Sequence, residues 1–344
     1  MGEVLVPVLA RLVQRQDLTD DEVVSAARHI LGGEASEVEI AGFIVALRTK
    51  GETTSELAAI VRTMLEFSVP VVAEPTAIDT CGTGGDRSGT VNISTIGAII
   101  AAGAGAKVAK HGNRAASSQC GSADVLEALG IPIELGPLGV ARCVAEAGIG
   151  FCFAPRFHPA LRFLGPVRRA LGVPTTFNFL GPLANPARVT RQCVGVSDAR
   201  MAERVLEVLI ANGAIRAMVF CGDDGLDELT TTTTSQVFEL RDGSVSSYQF
   251  DPSTVGLARA SHAALMGGDA AHNAAAVHAV LNGEMGAVRD IAVVNAAAAL
   301  QVADLAQSWE SGIALAERAV DSGAARDTLE RWRTVALDAV GEDV

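Results

Sequence analysis

From Ile78 onward short apolar runs alternate with helical stretches, and this alternation constrains the fold more than any other feature of the chain. Ile78-Asp-Thr80, Lys107-Val-Ala-Lys110, Phe151-Cys-Phe153, Cys193-Val-Gly-Val196 and Ala217-Met-Val-Phe-Cys221 read as strands, and 92–102, 123–129 and 199–211 read as helices. The pattern predicts a mainly parallel sheet covered by helices on both faces. Residues 235–240 and 246–250, joined by Arg241-Asp-Gly-Ser244, predict a β-hairpin, and 269–340 reads as Ala-rich helix. The first 70 residues differ. Val4, Leu5, Val8, Leu9, Leu12 and Val13 fall at helical spacing, and Thr19/Glu22, Ser36/Glu39 and Thr53/Glu56 are capping boxes opening three more helices, the last ended by Pro70. The expected class is α/β: a small all-α N-terminal domain (1–70, joined by helices from about 162–186) plus a larger α/β domain (71–344) with a central mostly parallel sheet flanked by helices.

Composition bounds the partners. At 49% hydrophobic, the 344 residues can build two cores and exclude disorder. A net charge of −13 leaves no basic footprint for nucleic acid. No membrane is expected, because the apolar stretch 96–106 stops well short of the ~20 residues a spanning helix needs. Glu3 sits early and no basic segment precedes a cleavage site, so no signal peptide is expected. The six cysteines stand singly, without zinc spacing, and predict a cytoplasmic protein with reduced thiols.

Four segments carry chemistry. In Asp79-Thr-Cys-Gly-Thr-Gly-Gly-Asp86, the residues Gly82, Gly84 and Gly85 permit positive φ and let N–H groups converge on an anion. It is neither a dinucleotide fingerprint nor a P-loop. Asn92-Ile-Ser-Thr95 opens the next helix, where free N–H groups favour phosphate. A glycine turn with an ordinary N-cap is the plain alternative. Lys110-His-Gly-Asn-Arg114, followed by Ala115-Ala-Ser-Ser118 and Gly121-Ser122, gathers a cation, an imidazole, an amide and hydroxyls, or is a solvated loop. Gly222-Asp-Asp-Gly-Leu-Asp227-Glu228-Leu-Thr230 places four acids in six residues, which suits Mg²⁺ held jointly with phosphate, or a solvated acidic turn. Arg156, Arg162, Arg168 and Arg169, with His158, suit carboxylate or phosphate, or are ordinary surface arginines. His29, His262, His272 and His278 read as structural or exposed. From 105 to 170 eight cations face four carboxylates, so a small anion meets a locally positive field in an acidic chain.

Taken with Gly121-Ser-Ala-Asp-Val-Leu-Glu-Ala-Leu-Gly130, Phe177-Asn-Phe-Leu-Gly-Pro-Leu-Ala-Asn-Pro186 and Gly225-Leu-Asp-Glu-Leu229, the three segments 79–86, 92–95 and 110–118 resemble anthranilate phosphoribosyltransferases of the nucleoside phosphorylase/phosphoribosyltransferase superfamily. Order and spacing agree over nearly the whole chain. The resemblance implies transfer of phosphoribosyl from 5-phosphoribosyl 1-pyrophosphate to the anthranilate amine, in tryptophan biosynthesis. It also implies magnesium (Mg²⁺), two domains closing about a hinge, and a homodimer formed through the helical domain. Carried over by position, Gly82, Gly85, Asp86, Thr90, Asn92, Ile93, Ser94, Thr95, Lys110, His111, Gly112, Asn113, Arg114, Ala115, Ala116, Ser117, Ser118 and Ser122 would hold phosphoribosyl pyrophosphate. Gly82, Asn113 and Arg168 would hold anthranilate, with His111 and His158 lining its route, and Ser94, Asp227 and Glu228 would hold Mg²⁺. No covalent or acid–base catalytic residue is expected, because positioning and electrostatics carry such a transfer. A pyrimidine nucleoside phosphorylase-like enzyme is the alternative, opposed by the adjacent Asp227-Glu228 and by His111-Gly-Asn113. A catalytically silent ligand-binding paralogue is opposed by the full motif set.

Overall fold

The protein is described here by a computed structural model covering residues 4–115 and 119–342. Four helices, α1 (Leu5–Val13), α2 (Asp20–Leu31), α3 (Glu37–Lys50) and α4 (Thr54–Glu66), form the N-terminal unit. Thr19, Ser36 and Thr53 each close a reciprocal capping box with Glu22, Glu39 and Glu56, which satisfies the otherwise orphaned first-turn N–H groups. Glu56 does more than cap: it also accepts from Leu18 N (2.8 Å) and from the buried Lys50 Nζ (2.8 Å). Helix α4 ends at Glu66, ahead of Pro70, because Val69 N is already committed to Phe157 O (2.8 Å) and a residue before proline is driven out of helix.

The α/β unit runs β1 (Ile78–Gly82), α5 (Ile93–Gly103), β2 (Val108–Gly112), α6 (Ser122–Ala128), α7 (Pro137–Arg142), β3 (Ile149–Phe153), α8 (Ala154–Phe157), α9 (Leu164–Leu171), α10 (Phe177–Leu180), β4 (Arg191–Gly195), α11 (Ala199–Ala211), β5 (Arg216–Gly222), β6 (Ser235–Arg241) and β7 (Ser244–Phe250). The Ala-rich remainder breaks into α12 (Ala270–Leu281), α13 (Ala287–Val302), α14 (Trp309–Asp321) and α15 (Ala324–Asp338). Strand order is β3-β2-β1-β4-β5-β6-β7, parallel through β5 and antiparallel beyond it. The chain winds outward from β1 to β3, then returns to place β4 on the other side of β1. The crevice above the C-terminal ends of β1 and β4 is therefore the topological switch point, where open α/β sheets bind ligands.

Small residues let the helices approach closely. A Cβ on Gly97 of α5 would lie 3.3 Å from Ala296 N of α13, and one on Gly103 would lie 2.6 Å from Ala325 Cα of α15. One apolar cluster is continuous from α1–α4 through Leu164, Val167, Phe177 and Leu180 to α11 and Val194 and Val219 of the sheet.

Candidate active site

Main-chain geometry at the end of β1 depends on its glycines in two ways. Gly84 (φ +67°) and Gly85 (φ +82°) are left-handed, but Gly82 is not. Gly82 is needed for space instead: a Cβ there would overlap Asp227 Oδ2 and sit 2.9 Å from its Cγ. Asp227 Oδ2 accepts from Gly84 N (2.6 Å), and Glu228 Oε1 accepts from Ser94 N (3.1 Å) in the first turn of α5. The N-terminal amide expected to meet phosphate is thus shared with a carboxylate. Asp227 is pushed up to about 7 by desolvation and by the neighbouring Asp86. Glu228 is raised well above its usual range by desolvation and by Asp227.

The four acids of this loop divide. Asp224 accepts from Thr230 Oγ1 (2.7 Å) and Thr232 Oγ1, and Asp223 accepts from Thr234 Oγ1 and Gln249 Nε2 (2.7 Å). The threonine run 230–234 therefore satisfies Asp223 and Asp224, and only Asp227 and Glu228 turn toward the glycine loop.

Lys110 is 1% exposed, and its Nζ donates to Thr80 O (2.5 Å) and Ser94 Oγ (3.3 Å). It is a buried cation beneath the start of α5, within electrostatic reach of Glu228 and Asp79. Asp79, fully buried, accepts from His111 N (3.0 Å), and burial holds its carboxyl above the usual range. Asn92 occupies the N-cap position of α5 but makes no cap bond; its amide spans Cys120 O (3.1 Å) and Asn273 Nδ2 (2.8 Å). Ile93 points into the core, so only its main chain is free for a ligand. Thr95 Oγ1 is buried without a hydrogen-bond partner. Thr90 bridges to Met266, and Val91 N donates to Leu265 O (3.0 Å), so 265–267 braces the loop that carries the half-buried Asp86.

In the 110–122 segment the described residues on either side of 116–118 bond to one another. Ser122 Oγ donates to Asn113 O (3.1 Å) and occupies the space a Cβ on Gly112 would need, while Ala115 N and Gly121 N donate to Asp124 Oδ2 (3.0 and 2.8 Å). Arg114 is turned onto Glu127 and Asp124 of α6 (2.6 and 2.9 Å), and Asn113 is exposed. Ala116, Ser117 and Ser118 lie outside the described residues. His111 and His158 face each other with ring centroids 5.3 Å apart. Burial, then the neighbouring His158, lowers His111 to about 3, so it is neutral at any working pH; its Nε2 has no partner. Arg168, half-buried on α9, reaches Asn178 Oδ1 (3.3 Å) on α10, whereas Arg156, Arg162 and Arg169 are exposed.

Among the described residues no cluster of three or more His, Cys, Asp or Glu side chains could cage a metal. The donor set nevertheless fits Mg²⁺, which binds through one or two carboxylates and leaves its other positions to water and phosphate. Asp227 and Glu228 supply hard oxygens whose mutual repulsion a cation relieves. Sequence reasoning missed Gly195 and Asn295. A Cβ on Gly195 would overlap the Asp227 main-chain oxygen, and Asn295 bonds to Leu229. The available signal for Asn295 was one amide within an apolar helical run.

Known proteins resemble this arrangement throughout its length. The families described as "Glycosyl transferase family, a/b domain" and "helical bundle domain" match residues 74–326 and 6–68. Anthranilate phosphoribosyltransferase of Salinispora arenicola is 51% identical, covering 98% of both chains. The crystal structure of anthranilate phosphoribosyltransferase from Thermus thermophilus superposes with TM-score 0.91 at 41% identity over 96% of this chain and 99% of that one. The Saccharomyces cerevisiae enzyme in complex with PRPP and Mg does so with TM-score 0.90 at 26% identity, over 98% and 99%. No described helix is long and apolar enough to cross a membrane.

Proposed function

The chain belongs to the anthranilate phosphoribosyltransferase family, and from that premise we propose how its own residues carry the reaction. It transfers the phosphoribosyl group of 5-phosphoribosyl 1-pyrophosphate to the amine of anthranilate, giving N-(5-phosphoribosyl)anthranilate and pyrophosphate in tryptophan biosynthesis. Relatives this similar favour neither a phosphorylase nor a silent paralogue. The observation that carries the site assignment is the meeting of Asp227 and Glu228 with the Gly82–Gly85 turn and the α5 N-terminus at the switch point.

In this reading the 82–95 and 110–122 segments bind phosphoribosyl pyrophosphate, with main-chain N–H groups and buried Lys110 meeting its negative charge. Ser94, Asp227 and Glu228 would hold Mg²⁺, which would neutralise charge growing on the leaving pyrophosphate. As the anomeric C–O bond breaks, the neutral aromatic amine forms the C–N bond and then loses a proton to the departing pyrophosphate or to solvent. It needs orientation more than activation. Arg168 clamps the anthranilate carboxylate, supported by its bond to Asn178, and Gly82 and Asn113 complete that subsite. His111, neutral and with a free Nε2, lines the route with His158. The segment 162–186 is assigned to the helical domain on the packing of α9 against α3.

The direct test follows anthranilate fluorescence: it is expected to fall only when Mg²⁺ and phosphoribosyl pyrophosphate are both present, and a constant signal refutes the reading. Arg168→Ala is expected to raise KM for anthranilate about 10- to 100-fold, the loss of a charged hydrogen-bond pair, with the Mg²⁺ requirement unchanged in steady-state kinetics.

The helical domain is also the dimer surface in this proposal. Val6 and Val13 on α1, and Val38 and Val45 on α3, recur seven residues apart and are 61, 75, 81 and 43% exposed. Val13→Glu with Val38→Glu is expected to sediment as monomer where the parent sediments as dimer. All six cysteines are buried, which suits a reducing cytoplasm.

A further inference from the structure

Asn295 interrupts the otherwise apolar run from Ile291 to Leu300 in α13 and is 3% exposed. Burying an amide in such surroundings is unfavourable unless its donors and acceptor are matched. They are matched by main chain alone. Oδ1 accepts from Leu229 N (3.1 Å), and Nδ2 donates to Leu229 O (2.9 Å) and Ile291 O (2.9 Å). Two of these three bonds close on a single residue, so they fix both the position and the plane of the peptide groups flanking Leu229.

Leu229 directly follows Asp227-Glu228 and is fully buried. The same turn of α13 packs against α5, where a Cβ on Gly97 would lie 3.3 Å from Ala296 N and 3.6 Å from Asn295 C. Helix α5 in turn gives Ser94 N to Glu228 Oε1. Glu228 is thus held at its main chain by α13 and at its carboxylate by α5, and the two helices meet at a glycine contact that fixes the distance between them. We propose that Asn295 is a positioning residue that sets Asp227 and Glu228 to receive the metal and the pyrophosphate; this rests on the assignment of those two carboxylates to the metal.

The test compares full-length parent, Asn295→Leu, Asn295→Asp and Glu228→Gln. Asn295→Leu removes all three bonds at similar volume, and Asn295→Asp keeps the shape and the Oδ1 acceptor but sets a second carboxyl oxygen against Leu229 O and Ile291 O. Mn²⁺ binding in the presence of phosphoribosyl pyrophosphate is read by paramagnetic resonance, alongside the Mg²⁺ dependence of kcat, KM for anthranilate and the melting temperature. Both Asn295 variants are expected to weaken Mn²⁺ binding about tenfold or more and to raise the Mg²⁺ requirement in parallel, as loss of a supporting partner does, with little change in KM for anthranilate. If Asn295→Leu does not fold, Asn295→Asp carries the comparison. Metal affinity within about twofold of the parent, with only the melting temperature lowered, makes Asn295 structural and overturns the proposal. Unchanged Mn²⁺ binding in Glu228→Gln overturns the carboxylate assignment itself, and the proposal with it.

Discussion

Asp227→Asn combined with Glu228→Gln is expected to lower kcat/KM by about three orders of magnitude at millimolar Mg²⁺ while the protein stays folded. In the proposed site both side chains carry a cost to the metal-free fold. Desolvation and the Asp86 charge push Asp227 up to about 7, and desolvation with the Asp227 charge also raises Glu228. A carboxyl whose folded pKa exceeds its unfolded value binds more protons when folded, so stability falls as pH rises between the two. For Asp227 that window runs from 3.8 to about 7. Thermal unfolding in chelator is therefore expected to show stability declining as pH rises across that window. Excess Mg²⁺ or the double substitution is expected to flatten the decline. Wild-type turnover in the double variant, or a pH-independent melting temperature for the metal-free parent, contradicts this account.

Gly195→Ala is the second large effect, and it acts without touching a charged group. Gly195 ends the central strand β4, in register with Gly82 of β1 and Phe220 of β5, and its carbonyl accepts from Thr83 N (2.9 Å). The Asp227 main-chain oxygen lies where the added methyl would go. Strand pairing on both sides prevents β4 from yielding, so the 222–229 loop has to lift. The expected loss is about 3 kcal/mol in urea unfolding, at the upper end of overpacking costs. A fall of about 100-fold in kcat is expected as Asp227 leaves Gly84, since small misplacements of a positioned group cost that much. Gly82→Ala makes a useful contrast, because there the overlap is with the Asp227 side chain, which can swing away. Its expected damage is to metal binding more than to stability. Near-parental activity in Gly195→Ala would mean that the loop has room the packing does not show.

Much of the architecture could be read residue by residue. The three capping boxes, α11 and the β6–β7 hairpin lie where Thr19/Glu22, Ser36/Glu39, Thr53/Glu56, the 199–211 periodicity and Arg241-Asp-Gly-Ser244 place them. The site was legible as a set of loops but not as an arrangement. Lys110 looks like a loop cation and is buried under α5; Arg114 looks like a phosphate ligand and lies on Glu127; Gly82 looks like a turn residue and is a clearance for Asp227.

What the amino-acid order determines alone is local: caps, helical periodicity, hairpin chemistry, and which loops carry glycines, cations and acids. Each depends on residues a few positions apart, so short-range sterics and hydrogen bonding decide it. Which acids face which glycines was decided only by the tertiary structure. Asp227 and Gly84 are 143 positions apart and meet because β4 inserts between β1 and β5, carrying a strand end that only glycine can make thin enough. Asp223 and Asp224, in the same loop, are drawn the other way by threonine hydroxyls. Strand order is a property of the whole packed core, and so, therefore, is the division of four neighbouring carboxylates into two held by threonine hydroxyls and two that meet the glycine turn and the start of α5.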